Sequence, residues 1–276
     1  MPSIYERTLQ SLDEWVKICQ SVEPTWIFRG QCDAKLPLRT SLERCCDNLN
    51  INPVARKTVE SGLIREFMRA YHQYATHVPK SEYWLEYLSL MQHYGAPTRL
   101  LDFTYSIYIA TYFAIESVCG DDNCAVWAIN GKWAINEAIL NLEEAKIDGA
   151  RQLKEPITEE LEKIFYYMFF EEPLPDSAIP MNPFRLNERL RTQKGVFLVP
   201  VNPISTFMEN LEALSGYEDA RNAIKFISPA KFRIEILKAL FDMNISRTSL
   251  FPGLDGYAQS LRIYHTSYFP ISWDYP

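Results

Sequence analysis

The chain has no apolar run approaching the roughly 18 residues that span a bilayer, so no membrane-crossing helix and no membrane partner are expected. Its start, Met1-Pro2-Ser3-Ile4-Tyr5-Glu6-Arg7, lacks the basic lead, apolar centre and small-residue cleavage site of a secretory signal, and the reading is cytoplasmic. Metal-ligand spacings are missing too. There is no Cys-x-x-Cys and no His-Glu-x-x-His, and His72 and His77 fall off one helical face, so no metal is expected. Six cysteines include the adjacent Cys45-Cys46, and a chain of 276 residues needs no disulfide staples, which leaves reduced thiols as the default. Basic charge is scarce: 28 Lys and Arg face 35 Asp and Glu, a formal net charge of −7 that disfavours indiscriminate nucleic-acid binding. A local patch is still open at Arg185, Arg189, Arg191 and Lys194, which reads either as a basic face or as the solvated side of an amphipathic helix.

What is present suits a globular protein with a sizeable core, 47% hydrophobic and rich in Tyr and Phe. Residues 11–19 have helical periodicity behind a Ser11/Glu14 capping box. Trp26-Ile27-Phe28-Arg29-Gly30-Gln31 reads as a core strand that carries an arginine, and residues 36–42 as a turn or short extended piece. Residues 52–74 and 81–93 predict helices, the second stopped by Gly95 with Pro97 beyond. A short strand over 98–104, a helix over 105–117 and a buried strand over 124–129 follow, then a mostly helical, acidic insertion at about 132–172. Pro173, Pro175, Pro180 and Pro183 predict a loop able to lie across a site as a lid. A polar lead-in over 186–194 enters a strand over 196–200, and a helix near 206–214, a strand over 232–236 and a Tyr-rich tail finish the chain. The pattern predicts an α+β fold, a small split or bent β-sheet core with helices packed around it. Its parts are an N-terminal helix over 1–20, a main domain over 21–260 that contains the insertion, and a tail over 261–276.

The chain is organised around Met91-Gln92-His93-Tyr94-Gly95-Ala96-Pro97-Thr98-Arg99-Leu100-Leu101-Asp102-Phe103-Thr104. A polar group buried among Leu, Met and Phe must find a partner or cost a few kcal/mol, so this density marks a satisfied network or a pocket wall. Convergence of several polar groups within apolar surroundings favours the pocket. Arg29 stays charged, so it either pairs with Asp102 or a Glu, or meets an anion. Thr104 reads best as the cap of the following helix. His93 suits either a ligand contact or the C-terminal dipole of its helix, and Tyr94 and Tyr112 suit either base stacking or core packing.

These segments, with Ala125-Val126-Trp127, Gln193-Lys194-Gly195-Val196-Phe197 and the closing Leu250-Phe251-Pro252-Gly253-Leu254-Asp255-Gly256, resemble the FRG domain family, named for its Phe-Arg-Gly motif. The resemblance covers approximately Ser11 to Ser260, with Ala96 where Leu is usual and Phe103 where Trp is usual. The order of parts also resembles the ADP-ribosyltransferase fold: a strand with Arg29, a strand with Asp102, Phe103 and Thr104 running into a helix with Ala110 and Phe113, then Gln193 heading a further strand. Arginine-type transferases carry Ser-Thr-Ser and a catalytic Glu in the last two places, where this chain has Asp102-Phe103-Thr104 and Gln193-Lys194-Gly195. The resemblance implies an ADP-ribosyltransferase-like sheet and NAD as substrate. It implies Arg29, Asp102, Gln193 and Glu188 as catalytic residues, with Glu188 ranked ahead of Glu235 to supply the missing carboxylate. Arg29, Gly30, His93, Tyr94, Thr98, Arg99 and Tyr112 would bind the dinucleotide. It further implies an RNA or protein acceptor and a toxin-like effector of bacterial toxin–antitoxin or anti-phage defence, with an antitoxin as partner and a chaperone as a second candidate partner. Competing readings are a non-catalytic nucleotide- or phage-sensing module and a metal-independent ribonuclease using His93 and Arg29.

Overall fold

Alternating runs of β-branched and aromatic residues build one sheet. The computed structural model describes residues 3–75, 77–116, 122–154, 159, 162, 165–166 and 174–264. Its strands are β1 Tyr5–Thr8, β2 Trp26–Gln31, β3 Leu101–Thr104, β4 Cys124–Asn130, β5 Ala178–Met181, β6 Gly195–Pro200 and β7 Ala223–Ser228. Their order is β1-β7-β4-β2-β3-β6-β5, antiparallel except for the β1–β7 pair. The helices are α1 Leu12–Ser21, α2 Ser41–Asn48, α3 Arg56–Tyr71, α4 Trp84–His93, α5 Ile107–Glu116, α6 Gly131–Glu144, α7 Glu188–Thr192, α8 Phe207–Glu212, α9 Arg233–Asp242, α10 Arg247–Leu250 and α11 Leu254–Tyr264. Period-2 alternation sends Ile27, Trp127 and Phe103 into a core shared with α3, α4 and α6, and Phe28, Val126 and Ala128 into a second core under α1, α5 and α9. The class is therefore α+β, with a sheet of seven strands.

Several local expectations are corrected. Residues 232–236 alternate too briefly to make a strand; Ile236, Leu237 and Leu240 bury one helical face of α9, and the strand of this region is β7. The Pro-rich stretch does not form a lid over its described part, because residues 178–181 pair with β6 as the edge strand β5, where the missing N–H of Pro180 is tolerated. Pro173 of that stretch, residues 155–158, 160–161, 163–164 and 167–172 of the expected insertion, and the tail from 265 lie outside the described residues. Residues 5–8, within the segment expected as an N-terminal helix, add β1 to the sheet. The expected turn at 36–42 ends in α2, opened by a Thr40/Glu43 capping box that only two buried apolar residues, Leu42 and Cys46, support in the pattern. Helix α6, at the start of the expected insertion, packs Ala134, Ala138, Ile139 and Leu142 into the main core. Thr104 does not cap α5: Ser106 Oγ accepts from the Ile109 N–H, while the Thr104 hydroxyl donates to the Gln193 carbonyl at 2.7 Å.

Two features hold the central segment in place. At its C-terminus, α4 stops where Gly95 takes φ +87° and the Ala96 N–H returns to the Met91 carbonyl at 2.9 Å. At its N-terminus the exposed donors are capped from a distant part of the chain, with Glu162 accepting from the Leu85 and Glu86 N–H groups at 3.1 and 3.3 Å and from Phe184 N–H at 3.1 Å. Glu162 is buried, and desolvation raises its carboxyl to about 7, against those donated hydrogen bonds.

A folded-state value above the unfolded one means that this group stabilises the fold below pH 4.5, and that its contribution is lost as the pH rises through 7. Urea unfolding is expected to lose on the order of 2 kcal/mol of stability between pH 5 and pH 8 through this group, and Glu162→Gln is expected to flatten that slope.

Candidate functional site

The sheet parts between its fourth and fifth strands in that order, β2 and β3. Strands β2 and β4 are registered along all of Trp26–Gln31, whereas β2 and β3 are registered only at Phe28 opposite Thr104. Beyond that point the chains diverge, and backbone groups that would have met across a ladder need other partners. Arg29 supplies one: its Nη1 donates to the Asp102 carbonyl at 2.6 Å. A guanidinium has five N–H donors, and among the described residues the rest of this one makes no hydrogen bond or ion pair. Burial pulls the Arg29 guanidinium below its ordinary value, opposed by the charge of Asp102. Gly30 has a separate reason to be there. A Cβ at that position would stand 2.0 Å from the Ala110 carbonyl and 2.4 Å from the Ala114 nitrogen, so only glycine lets α5 lie against β2.

The parting opens into a cleft of two adjoining compartments. The larger encloses about 230 Å³ and is lined by Phe28, Arg29, Gly30, Asp102, Phe103, Thr104, Phe113, Arg189 and Gln193. The smaller, about 50 Å³, is lined by Ser89, Gln92, His93, Asp102, Asn187, Arg189, Leu190, Gln193 and Phe197. Asp102, Arg189 and Gln193 belong to both. Asp102 presents an exposed carboxylate, while its backbone is held by Arg29. His93 is half-buried at the end of α4, edge-on to Tyr94 with centroids 4.8 Å apart, and burial followed by the charge of Arg189 holds its imidazole below the ordinary value. Gln193 caps the C-terminus of α7, and its Nε2 donates to the Leu250 carbonyl at 3.1 Å.

The remaining expected residues lie elsewhere. Arg99 is buried against Glu60, with Nε and Nη2 each 2.6 Å from Oε2 and Nη1 donating to the Val201 carbonyl at 3.0 Å. It braces α3 against the end of β6 and does not pair with Asp102. Thr98 is fully buried, its hydroxyl donating to the Gln92 side chain and its N–H to Ser41 Oγ at 3.0 Å. Tyr112 is a core residue whose hydroxyl donates to Glu116 at 2.9 Å, and Tyr94 is 69% exposed and lines neither compartment. Glu188, in the first turn of α7, and Glu235, in the first turn of α9, are exposed and line neither compartment. The carboxylate of the cleft is Asp102.

Arg189 belongs with the cleft and was legible beforehand only as one member of the basic cluster. Its neighbours in that cluster separate from it: Arg185 Nη1 lies 2.7 Å from His77 Nε2, and Arg191 and Lys194 are exposed. Arg189 instead lies over the Phe251 ring at 4.8 Å, and among the described residues it forms no ion pair or hydrogen bond. The closing motif Leu250-Phe251 thus supports the site from behind, its backbone oxygen holding Gln193 and its ring holding Arg189. Ser89 and Asn187 complete the smaller compartment, and nothing in the sequence pattern marks them. The arrangement offers two guanidinium groups with donors to spare, one carboxylate, one imidazole and the amides of Gln92, Asn187 and Gln193 around an open volume, which suits a phosphate-bearing ligand with polar hydroxyl or amide groups.

The two arginine classes separate by stability. Arg99→Met leaves the Glu60 charge buried without its partner and is expected to cost about 3–5 kcal/mol in chemical denaturation. Arg189→Met is expected to change stability by less than about 1 kcal/mol.

No curated protein and no solved structure matches the chain. A family model does match, over residues 24–123, a span that contains β2, the segment from His93 to Thr104 and α5, whereas Arg189, Gln193 and the closing motif lie beyond it. The description of that family is the FRG domain, and residues 24–123 are what matches it.

Proposed function

We propose that the cleft binds NAD as a substrate and that the protein transfers ADP-ribose to a macromolecular acceptor, RNA or protein. The observation that carries this reading is the guanidinium of Arg29, with donors to spare at the parting of β2 and β3, in the same compartment lining as Arg189 and with a single carboxylate, Asp102, lining both compartments. Two cations without ion-pair partners fit a pyrophosphate, which accepts bidentate, charge-assisted hydrogen bonds from guanidinium groups. Such binding would place the nicotinamide ribose near Asp102.

Breaking the glycosidic bond leaves positive charge on the ribose, as in glycoside hydrolysis. The Asp102 carboxylate would stabilise that charge, and the Arg29 hydrogen bond to the Asp102 carbonyl holds the backbone that carries it. The bonding electrons leave with nicotinamide, the acceptor's nucleophilic atom bonds to the ribose carbon, and the acceptor proton departs to solvent or a base. Gln193 can orient a hydroxyl but, as a neutral amide, cannot take that proton. Within the basic cluster, Arg185 lies against His77 and Arg189 lines the cleft. An acceptor would then be recognised locally at the cleft mouth. A toxin-like role in toxin–antitoxin or anti-phage defence, restrained by an antitoxin, is the biological setting proposed for such an activity. A sensing module without turnover would use the same groups to hold a nucleotide.

Incubation with NAD labelled in its adenylate part and total cell extract tests the reading. Label is expected on RNA or protein, with Arg29→Ala and Asp102→Asn each slowing transfer by at least a hundredfold while the folded circular-dichroism spectrum is retained. Cleavage of RNA without NAD would instead support a ribonuclease, and nucleotide binding without transfer a sensing module.

A further inference from the structure

The smaller compartment differs in chemistry from its neighbour. Its volume of about 50 Å³ accommodates about four water-sized groups at roughly 10–15 Å³ each, too little for a ring but enough for a ring substituent. His93 lines it with an imidazole whose Nδ1 is buried, and among the described residues neither ring nitrogen makes a hydrogen bond. An orphaned buried N–H is rarer than an orphaned buried acceptor, so the proton belongs on Nε2, the nitrogen that a ligand can reach. Burial and Arg189 keep the ring neutral at pH 7, which makes it an uncharged donor. Gln193 supplies the complement. Its nitrogen is committed to the Leu250 carbonyl, which cannot donate, so the amide has one orientation and Oε1 is left as an uncharged acceptor.

Ser89, Gln92 and Asn187 line the compartment too, but Asn187 is engaged with Ser89 and the Leu190 N–H and Gln92 with the Thr98 hydroxyl, whereas the His93 Nε2–H donor and the Gln193 Oε1 acceptor, both neutral, together match a primary carboxamide. We propose that the compartment seats the carboxamide of the nicotinamide ring, with His93 Nε2–H donating to its carbonyl oxygen and Gln193 Oε1 accepting from its NH₂. This assignment rests on NAD being the substrate, and it puts the ring at the junction with the larger compartment, where Asp102 belongs to both. The corresponding carboxylic acid would set two anionic oxygens against Gln193 Oε1. Arg189, in the same compartment lining, is the group that would favour the acid, which makes the amide–acid comparison decisive.

The test uses the full chain labelled with ¹⁵N, with the His93 resonances assigned by their loss in His93→Gln, and titrations with nicotinamide, nicotinic acid and ADP-ribose. The free protein is expected to show the Nε2–H tautomer, and nicotinamide is expected to shift the His93 signals and to bind at least tenfold more tightly than nicotinic acid. His93→Ala is expected to weaken nicotinamide about tenfold while leaving ADP-ribose within twofold, and His93→Gln, which retains a neutral donor, to recover most of the loss. Nicotinic acid binding as tightly as nicotinamide, or nicotinamide binding unchanged by His93→Ala, would overturn the carboxamide assignment while ADP-ribose binding kept the NAD reading intact. Absence of ADP-ribose binding would overturn both.

Discussion

The hydrogen bond from Arg29 to the Asp102 carbonyl spans the place where β2 and β3 stop pairing, and the cleft exists because of that parting. A continuous ladder there would satisfy the backbone groups and leave no opening. With the strands apart, a backbone oxygen is answered by one arm of a guanidinium and the remaining donors face the space so created. The same bond fixes the β3 backbone that carries the Asp102 carboxylate. Fold and site are therefore coupled through one residue: Arg29 closes a gap in the sheet and supplies the charge that makes the gap useful.

The elements around this bond act by positioning. Gly30 allows α5 to press on β2 without displacing it, and the Glu162 cap and the Gly95 stop fix both ends of α4, so that His93 is delivered to the cleft at a set place. From the other side, α7 brings Arg189 and Gln193, held by the ring and the carbonyl of the closing Leu250-Phe251 motif. Charges buried in structural pairs, as Arg99 is with Glu60, contribute rigidity; charges without such pairs, as at Arg29 and Arg189, are available to a ligand. The distinction sorts arginines that are indistinguishable in composition.

The strands with sustained apolar character, β2, β4 and β6, were legible in the sequence, and so were α4 and its glycine stop, because long periodic runs and positive-φ glycines leave strong local signals. Short edge strands were not. β1 is exposed along its whole length and β5 contains a proline, and each is a strand because a neighbour offers it a ladder. At the site, the pair Arg29 and Asp102 was visible as polar residues in apolar runs, as was His93, whereas Gln193 was singled out only through the resemblance to the ADP-ribosyltransferase order of parts. Arg99 and Thr98 carry the same signal for a different reason, since a buried polar residue that is satisfied by Glu60 or Gln92 looks no different in sequence from one left for a ligand. Arg189 joins the cleft through a contact with Phe251 about sixty residues away, which no local pattern encodes.

The central claim is that Arg29 and Arg189 act together on one phosphate-bearing ligand, and a double-mutant cycle on ADP-ribose affinity, measured by calorimetry at fixed salt, tests it most directly. Each of Arg29→Lys and Arg189→Met is predicted to weaken binding about 10- to 100-fold, with the double variant losing clearly less than the product of the two, as expected of groups that share a pyrophosphate. Affinity unchanged by either substitution, or losses that multiply as for independent sites, would contradict the account.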